Sequence, residues 1–254
     1  MKPFLLITTR DEDDVAAEEH ALFCRLTGLL PEDLEWRRAD RAPIGHVDFG
    51  RYSGIILAGS PFTVSEPVEK KTATELRVER ELAELLDEVV RRDAPFLGIC
   101  YGIGTIGAHQ GARVDRQYGE TSQAVRISLS DEGKADPLFR ELPGSFDAFV
   151  GHKEAISEVP DSIAVLASSP TCPVQAFRVG RNVYATQFHP ELDAAAFTSR
   201  VRAYANHGYF EPHELDQIIA RVDAADVGAA HMVLGRFVEE YLSSYTRRPA
   251  VESV

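Results

Sequence analysis

Short apolar runs alternate with helical patterns along the first half of the chain. Residues 4–8 (FLLIT) and 53–58 (SGIILA) are almost continuously apolar. Strands of a parallel sheet that is covered on both faces have this composition, because neither face meets water. Together with the helical segments between them, these runs predict a βαβ architecture and a mostly parallel sheet.

The clearest helix is predicted at residues 72–92. Thr72 and Glu75 have the spacing of a capping box, in which each side chain accepts a hydrogen bond from the backbone N–H of the other residue. The apolar residues that follow are largely at helical spacing: Leu76, Val78, Leu82, Leu85, Leu86, Val89 and Val90. Pro95 follows the end of this helix. The pattern then predicts a strand at Phe96–Ile99 and a glycine-rich helix at 101–110.

Further strands and then three helices are predicted in the rest of the chain. Apolar residues alternate at 125–129 and over parts of 163–167 and 174–179, and 183–188 forms a hairpin with the strand before it. After Pro190 the pattern is helical at 193–206, 212–222 and 227–245. We therefore expect an α/β domain over residues 1–192, with an open, mostly parallel sheet and flanking helices. A C-terminal helical extension, residues 193–254, is expected to pack on the same domain.

Composition and charge argue against several classes of partner. The formal net charge of −13, without a basic stripe, would repel a nucleic-acid backbone. The apolar start of the chain is too short for a signal-peptide core, and no apolar stretch approaches the ~20 residues that span a bilayer. The three cysteines are far apart and form no CxxC pair. We expect a cytoplasmic protein without nucleic acid, membrane or metal as a partner.

One cysteine lies in a turn that suits a nucleophile. Residues 96–102 (FLGICYG) have the form strand, G-x-C-x-G, helix, which presents Cys100 at the carboxyl end of a strand. The helix N-terminus that follows favours the thiolate. A buried structural cysteine in a glycine-rich turn is the alternative. Cys24, on an expected helix, and Cys172, in a loop, have no such context and are interpreted as structural.

The best candidate for the base that a thiol nucleophile needs is His189. It lies in the segment 187–191 (QFHPE), at the end of a predicted strand. Glu191, two residues on, is close enough to orient the imidazole and to stabilise its charged form. Taken alone, His-Pro-Glu is more often a surface turn. Its occurrence together with the Cys100 turn favours a catalytic set of Cys100, His189 and Glu191.

Three blocks of the sequence resemble class I glutamine amidotransferases, particularly stand-alone proteins similar to the amidotransferase domain of GMP synthase. Residues 55–61 (IILAGSP) resemble the family's oxyanion-hole strand and loop, 98–102 (GICYG) its nucleophile elbow, and 187–191 its His and Glu block. The resemblance covers about residues 4–192. It implies a flavodoxin-like fold and hydrolysis of a γ-carboxamide through a γ-glutamyl thioester, without a cofactor.

The resemblance also implies which groups bind the substrate. The backbone N–H groups of Ser60, which follows Gly59, and of Tyr101 would hold the oxyanion. The segment 151–154 (GHKE) resembles the family's Ser-His-x-Asp segment, whose backbone lines the substrate pocket, so His152 is a further candidate. One position departs from the family pattern. Gly104 stands where the family commonly has a glutamine that contacts the bound substrate.

Three functions therefore remain open. The first is a stand-alone amidotransferase that hydrolyses glutamine and delivers ammonia to a separate synthase subunit. The chain contains no GxxxxGK[ST] loop that would let it activate an acceptor with ATP itself. The second is a γ-glutamyl hydrolase or peptidase, for which Gly104 would leave room for a different substrate contact. The third, from another class, is a non-catalytic binding domain on the same fold.

Overall fold

The structure, a computed structural model, describes residues 2–203 and 215–246; the expected helical residues 204–206 and 212–214 lie outside this part. The strands are β1 Phe4–Thr8, β2 Leu34–Arg38, β3 Ile55–Leu57, β4 Phe96–Ile99, β5 Arg113–Asp115, β6 Glu120–Leu129, β7 Ser145–His152, β8 Ala155–Glu158, β9 Ile163–Ser168, β10 Ala176–Val179 and β11 Val183–Thr186. The helices are α1 Asp13–Thr27, α2 Ala73–Arg92, α3 Tyr101–His109, α4 Asp131–Ala135, α5 Ala194–Ala203, α6 Leu215–Asp223 and α7 Gly228–Thr246.

The described strands form an open main sheet in the order β2-β1-β3-β4-β11-β10-β9-β6-β7 and a small β5-β8 ladder. From β2 to β11 the neighbours are parallel. From β11 to β7 they are antiparallel. The expected α/β fold, with an open sheet and flanking helices, is confirmed. Its parallel strands end at one edge, where open α/β sheets bind ligands.

The central strands are buried on both faces, as their apolar sequences predict. In β1, Phe4 and Leu6 pack in a core with side chains of α1 and α7, whereas Leu5 and Ile7 pack in a second core with side chains of α2 and α3. All four side chains are fully buried. Since successive residues of a strand point to opposite faces, a strand between two helical layers needs an apolar residue at every position.

Helix α2 begins with the predicted capping box. The N–H of Glu75 donates to Thr72 Oγ1 at 3.2 Å, and the N–H of Thr72 donates to Glu75 Oε2 at 2.6 Å. The predicted apolar stripe is buried at Val78, Leu82, Leu85, Leu86 and Val89. This helix packs against α3, which carries the first residues after Cys100. The buried stripe thus supports the helix that follows the candidate nucleophile.

Two strands near the site are shorter than their apolar patterns suggested. Strand β10 begins at Ala176 instead of 174, and β11 ends at Thr186 instead of 188. The chain leaves the ladder at Thr186, whose carbonyl accepts the N–H of Cys100 at 2.7 Å. Further on, the N–H of His189 donates to the carbonyl of Phe149 at 2.9 Å. The segment after β11 therefore crosses over the sheet edge towards β7.

The helices after Leu192 pack on the rest of the molecule through apolar side chains. Phe197 of α5 stacks on Phe149 of β7 with ring centroids 4.4 Å apart, and α6 adds Ile218 and Val222 to the same cluster. Phe237 of α7 packs in the core beside Phe4. The division of the chain at residue 192 stays a prediction. No helix in the described part of the chain is long and apolar enough to cross a membrane.

Candidate active site

The candidate residues meet at the carboxyl ends of the parallel strands. Gly59 and Ser60 follow β3, Cys100 follows β4, and His189 and Glu191 follow β11. A cavity of about 50 Å³ borders Ser60, Cys100 and His189, and a cleft on another side of Cys100 extends towards Gly104. The sequence motifs that lie far apart along the chain are thus brought to one place.

Cys100 has a strained backbone. Its φ of 53° and ψ of −90° lie outside the regions that residues with a side chain ordinarily adopt. The turn also requires close packing of the flanking glycines. A β-carbon on Gly98 would lie 3.0 Å from the Cα of Gly102 and 2.8 Å from Ile106 Cδ1. The glycines of G-x-C-x-G therefore permit the sharp turn that places Cys100 at the N-terminus of α3.

His189 and Glu191 form a buried hydrogen-bonded pair. His189 Nδ1 and Glu191 Oε1 are 2.7 Å apart, and the glutamate side chain is inaccessible to solvent. Cys100 and His189 line the same cavity, and the cysteine is close enough to raise the pKa of the imidazole. The structure therefore brings Cys100, His189 and Glu191 together in the order that the sequence predicted.

Burial and charge act in opposite directions on this pair. Burial alone would lower the pKa of His189, but the neighbouring Glu191 carboxylate and Cys100 raise it to about 10. Burial would raise the pKa of Glu191, and the charge and hydrogen bond of His189 lower it to about 2. Each of the two groups therefore favours the charged form of the other. An imidazolium next to a thiolate is the charge state that suits a nucleophilic cysteine.

The loop after β3 packs directly against these side chains. A β-carbon on Gly59 would lie 3.0 Å from His189 Cε1 and 3.5 Å from the Cβ of Cys100. Ser60 uses its hydroxyl to accept the N–H of Phe62 at 3.0 Å, which shapes the loop. Tyr101 is the first residue of α3, where backbone N–H groups have no partner within the helix. The backbone of this region is thus available for binding an anion.

A chain of buried charges lies behind Glu191, and the sequence patterns did not reveal it. Arg200 of α5 donates to Glu191 Oε1 at 3.4 Å, and its other terminal nitrogen lies 3.3 Å from Glu19 of α1. Glu19 also pairs with Arg10, which follows β1, at 2.9 Å. Arg10 and Arg200 both line the cavity beside His189. These residues look like solvated helix and loop charges in the sequence, so only their contacts identify them.

His152 lies in a second buried polar network. Its Nδ1 donates to the carbonyl of Glu154 at 2.9 Å, and its Nε2 lies 2.8 Å from Glu120 Oε2. Gln175 and Thr171 also donate to Glu120. Burial would raise the pKa of Glu120, and these hydrogen bonds, first that of His152, hold it lowered. These contacts hold His152 in the segment 151–154, which lines the cleft beside Cys100.

The same network contains Cys172, whose sulfur is within 4.8 Å of ligand atoms of His152 and Glu120. Such a trio has the ligand types of a transition-metal site. Here, however, the thiol donates to the carbonyl of Val174 at 3.5 Å, and His152 and Glu120 are bonded directly to each other. Burial raises the pKa of Cys172 to about 12. The contacts are those of a hydrogen-bonded core, and Cys172 is buried in a loop as expected.

The comparison with known families agrees with the motifs. The sequence model of the family "Glutamine amidotransferase class-I" matches residues 34–209. That stretch includes Cys100, His189, Glu191 and Arg200, and it accounts for more than half of the chain. The chain belongs to the class I glutamine amidotransferase family.

Several curated relatives of the chain are named GMP synthase. The chain is 35% identical over 148 residues to a GMP synthase [glutamine-hydrolyzing] of Leifsonia xyli, covering 56% of this chain and 26% of that protein. It is 25% identical over 208 residues to the GMP synthase of Neisseria meningitidis, covering 76% and 36%. The chain thus spans about a quarter to a third of the length of the curated relatives it matches.

Solved structures share the fold over almost their full length. A glutamine amidotransferase of Thermotoga maritima has a TM-score of 0.70 at 22% identity, covering 94% of this chain and 99% of the other. A glutamine amidotransferase of Methylobacillus flagellatus has a TM-score of 0.67 at 16% identity, covering 94% and 95%. At this level of identity the likeness shows the fold alone, which is the expected α/β fold of the family.

Proposed function

We propose that this protein hydrolyses the γ-carboxamide of glutamine and that Cys100, His189 and Glu191 carry the reaction. The observation that supports this most directly is the arrangement around Cys100. A strained nucleophile turn faces His189, and His189 is held at 2.7 Å by a fully buried Glu191. Nucleophile, base and orienting carboxylate in this relation form the triad used for acyl transfer.

The first half of the reaction forms a thioester. The thiolate of Cys100 attacks the amide carbon, and a carbon–sulfur bond forms while the carbonyl oxygen gains negative charge. His189, as imidazolium, then gives its proton to the amide nitrogen. The carbon–nitrogen bond breaks and ammonia leaves. Glu191 stabilises the charged imidazole and holds the ring in the orientation that this transfer needs.

The second half of the reaction regenerates the enzyme. Neutral His189 takes a proton from a water molecule, which attacks the thioester carbon. The carbon–sulfur bond breaks, glutamate leaves, and the thiolate of Cys100 and the charged imidazole are restored. In both halves the N–H groups of Ser60 and Tyr101 would hold the oxyanion. Removal of one such donor typically costs about 100- to 1,000-fold in rate.

The ammonia would be used by a synthase on a separate subunit in the cytoplasm. The relatives named GMP synthase are far longer than the matched region, which covers only 26% to 36% of them. The names of these relatives combine a synthase activity with glutamine hydrolysis, which supports a synthase as the user of the ammonia. No cofactor enters the hydrolytic step, because the nucleophile and base are both side chains of this chain.

The test is release of ammonia and glutamate from glutamine by the purified protein, alone and with candidate synthase subunits. Cys100→Ser should abolish turnover. Cys24→Ser, which changes a half-buried thiol of α1, should leave turnover unchanged. Turnover that survives Cys100→Ser would contradict the proposed nucleophile. A protein that neither turns over nor is alkylated selectively at Cys100 would be the non-catalytic domain.

A panel of γ-glutamyl amines and peptides, assayed beside glutamine, distinguishes a γ-glutamyl hydrolase or peptidase from a glutamine amidotransferase. Faster turnover of any panel member would favour a γ-glutamyl hydrolase with the same three residues. We expect glutamine to be the faster substrate. The relatives named GMP synthase [glutamine-hydrolyzing] support this expectation.

A further inference from the structure

Two spaces meet at Cys100, and only one of them is bordered by the candidate base. The cavity of about 50 Å³ is lined by Cys100, His189 and Ser122, among others. The cleft is lined by Cys100, Gly104 and Gln187, among others, and His189 does not line it. Because His189 would give its proton to the leaving nitrogen, that nitrogen must lie in the cavity, and the rest of the substrate then extends into the cleft.

The water that regenerates the enzyme must reach the same cavity. The imidazole that gave its proton to nitrogen has to take one from water, so the water must stand within hydrogen-bond reach of His189. The amide nitrogen is held there by its bond to the substrate, whereas water is held only by the polar groups of the cavity. At about 50 Å³ the cavity exceeds the roughly 10 to 15 Å³ that one water molecule requires. A buried water typically makes about 2 to 4 hydrogen bonds, so we looked for its partners.

Strand β6 has a bulge at the wall of this cavity. Its ladder with β7 pairs residue 120 with 152 and residue 123 with 150, so two residues of β6 lie opposite Gly151 alone. The second of these two residues is Ser122, which lines the cavity. A bulge of this kind turns a side chain out of the regular alternation of a strand, and bulges are common next to active sites for that reason. The bulge therefore accounts for the presence of a serine side chain at the cavity.

The hydroxyl of Ser122 is placed to bind a small ligand. A β-carbon on Gly151 would lie 3.1 Å from Ser122 Oγ, so the glycine leaves this hydroxyl its space. Ser122 is only 8% exposed, and its hydroxyl has no hydrogen-bond partner among the described residues. Since the polar atoms of nearly buried residues are normally hydrogen bonded, this hydroxyl is suited to bond a water molecule in the cavity.

Arg10 brings hydrogen-bond donors to the same cavity. Its Nε donates to Glu19 at 2.9 Å, which fixes the orientation of the buried guanidinium. A β-carbon on Gly59 would lie 3.5 Å from Nη2 of Arg10 and 3.0 Å from His189 Cε1, so the guanidinium and the imidazole border the same small space. A guanidinium only donates hydrogen bonds, and a water oxygen can accept them. The cavity thus combines a donor, a hydroxyl and the candidate base.

We propose that this cavity binds the water molecule that hydrolyses the thioester, and that Ser122 and Arg10 hold it there. The water donates one hydrogen bond to Nε2 of His189 and the other to Ser122 Oγ. One of its lone pairs accepts an N–H of Arg10, which leaves the second lone pair for the thioester carbon. As the carbon–oxygen bond forms, the proton passes to His189, and the carbon–sulfur bond breaks with its electron pair returning to Cys100. The proposal rests on the proposed function and names the groups that bind its second substrate.

The test measures formation and hydrolysis of the thioester separately. In quenched-flow experiments with glutamine, ammonia released in the first turnover reports thioester formation, and glutamate release reports its hydrolysis. Mass spectrometry of the acid-quenched protein gives the fraction of Cys100 that carries the glutamyl group. The proteins compared are the wild type, Ser122→Ala, Gly151→Ala and the control Ser128→Ala, which removes an exposed hydroxyl from the same strand.

Ser122→Ala should slow glutamate release about 5- to 10-fold, as the loss of one hydrogen bond to the water does, while the first release of ammonia stays within about twofold of the wild type. The fraction of Cys100 that carries the glutamyl group should therefore rise. In Gly151→Ala the new β-carbon displaces the same hydroxyl, so hydrolysis should again slow more than thioester formation. Ser128→Ala should change neither step.

Hydrolysis of the thioester at the wild-type rate in Ser122→Ala would overturn the proposal. An equal slowing of both steps would overturn it too, since it would mean that Ser122 only shapes the bulge. If Ser122→Ala does not fold, Gly151→Ala decides by the same two criteria. Failure of the proposed function looks different: the wild type then releases no ammonia, and no glutamyl group forms on Cys100.

Discussion

Arg200 donates to Oε1 of Glu191 at 3.4 Å, and the same oxygen lies 2.7 Å from His189 Nδ1. A residue of helix α5 therefore contacts the group that orients the candidate base. Because Arg200 also lies 3.3 Å from Glu19, it separates two buried carboxylates that would otherwise repel each other. Helix α5 is thus part of the site.

Replacement of Arg200 should destabilise the protein strongly. Arg200→Met would leave Glu191 and Glu19 buried with one cation fewer, and removing one partner of a buried ion pair typically costs about 3 to 5 kcal/mol. The free energy of unfolding, measured by urea denaturation, checks this. Arg202→Met, an exposed arginine of the same helix, should change it by no more than about 0.5 kcal/mol.

The double variant Glu19→Gln/Arg200→Met distinguishes charge from packing. Because Glu19 and Arg200 lie 3.3 Å apart, each single change removes the same ion pair, so the double variant should lose less stability than the sum of the two single changes. A double variant that is destabilised by the full sum of the two single changes would show that packing, and not the charge balance around Glu19, explains the loss.

The stability that His189 contributes should fall with rising pH. Its pKa is raised to about 10 in the folded state by Glu191 and Cys100 despite its burial, whereas an unfolded histidine titrates near 6.5. The contribution is therefore complete below about pH 6.5 and is lost as the pH rises through the folded value, by up to about 1.4 kcal/mol per pH unit. The difference in unfolding free energy between the wild type and His189→Gln should decrease over this range.

Glu191→Gln provides the control for this pH dependence. The Glu191 carboxylate is the main group that raises the pKa of His189. In the Glu191→Gln background, the effect of His189→Gln on the unfolding free energy should therefore change much less with pH. A difference between wild type and His189→Gln that stays constant from pH 6.5 to 10 would rule out the charged His189–Glu191 pair as the folded state.

The site residues that could be predicted from the sequence are those that lie in a recognisable local sequence pattern. Cys100 needs glycines around it because its turn brings Gly98 and Gly102 into contact, and His189 is followed by a proline shortly after β11 ends. Arg200 and Glu19 lie in no such pattern. Each lies on a helix with other charged residues, and their burial depends on packing between segments that are distant in sequence.

The same distinction applies to the strands. Strands β1 and β3 are buried on both faces, and their sequences are therefore almost continuously apolar. Strand β2 (LEWRR) lies at the edge of the sheet and is only partly buried, so its sequence has no such run and it was not predicted. Strand β7, at the other edge, is mostly buried, but Asp147 and Gly151 interrupt its apolar pattern, and it was not predicted either.

Gly59→Ala should impair the site by displacing the imidazole. The new β-carbon would lie 3.0 Å from His189 Cε1, so the ring must shift by a few tenths of an ångström within the cavity that it lines with Cys100. Alkylation of Cys100 and any glutamine hydrolysis should slow by about 10- to 100-fold, as small misplacements of reacting groups do. Gly144→Ala, where a β-carbon meets no atom within 4 Å, is the matched control and should change neither rate. Unchanged rates in Gly59→Ala would show that the loop yields instead of His189.

The three cysteines should differ sharply in reactivity. Cys172 is fully buried, which raises its pKa to about 12, and burial also raises the pKa of Cys24. Cys100, by contrast, lines the cleft at the start of α3, where a reagent can reach its sulfur. Iodoacetamide at neutral pH should therefore modify Cys100 first, Cys24 slowly and Cys172 only after unfolding, as measured by peptide mass spectrometry. In urea, where the environments are equal, all three should react at similar rates. Labelling of Cys172 in the native protein as fast as Cys100 would be incompatible with its place in the Glu120–His152 network.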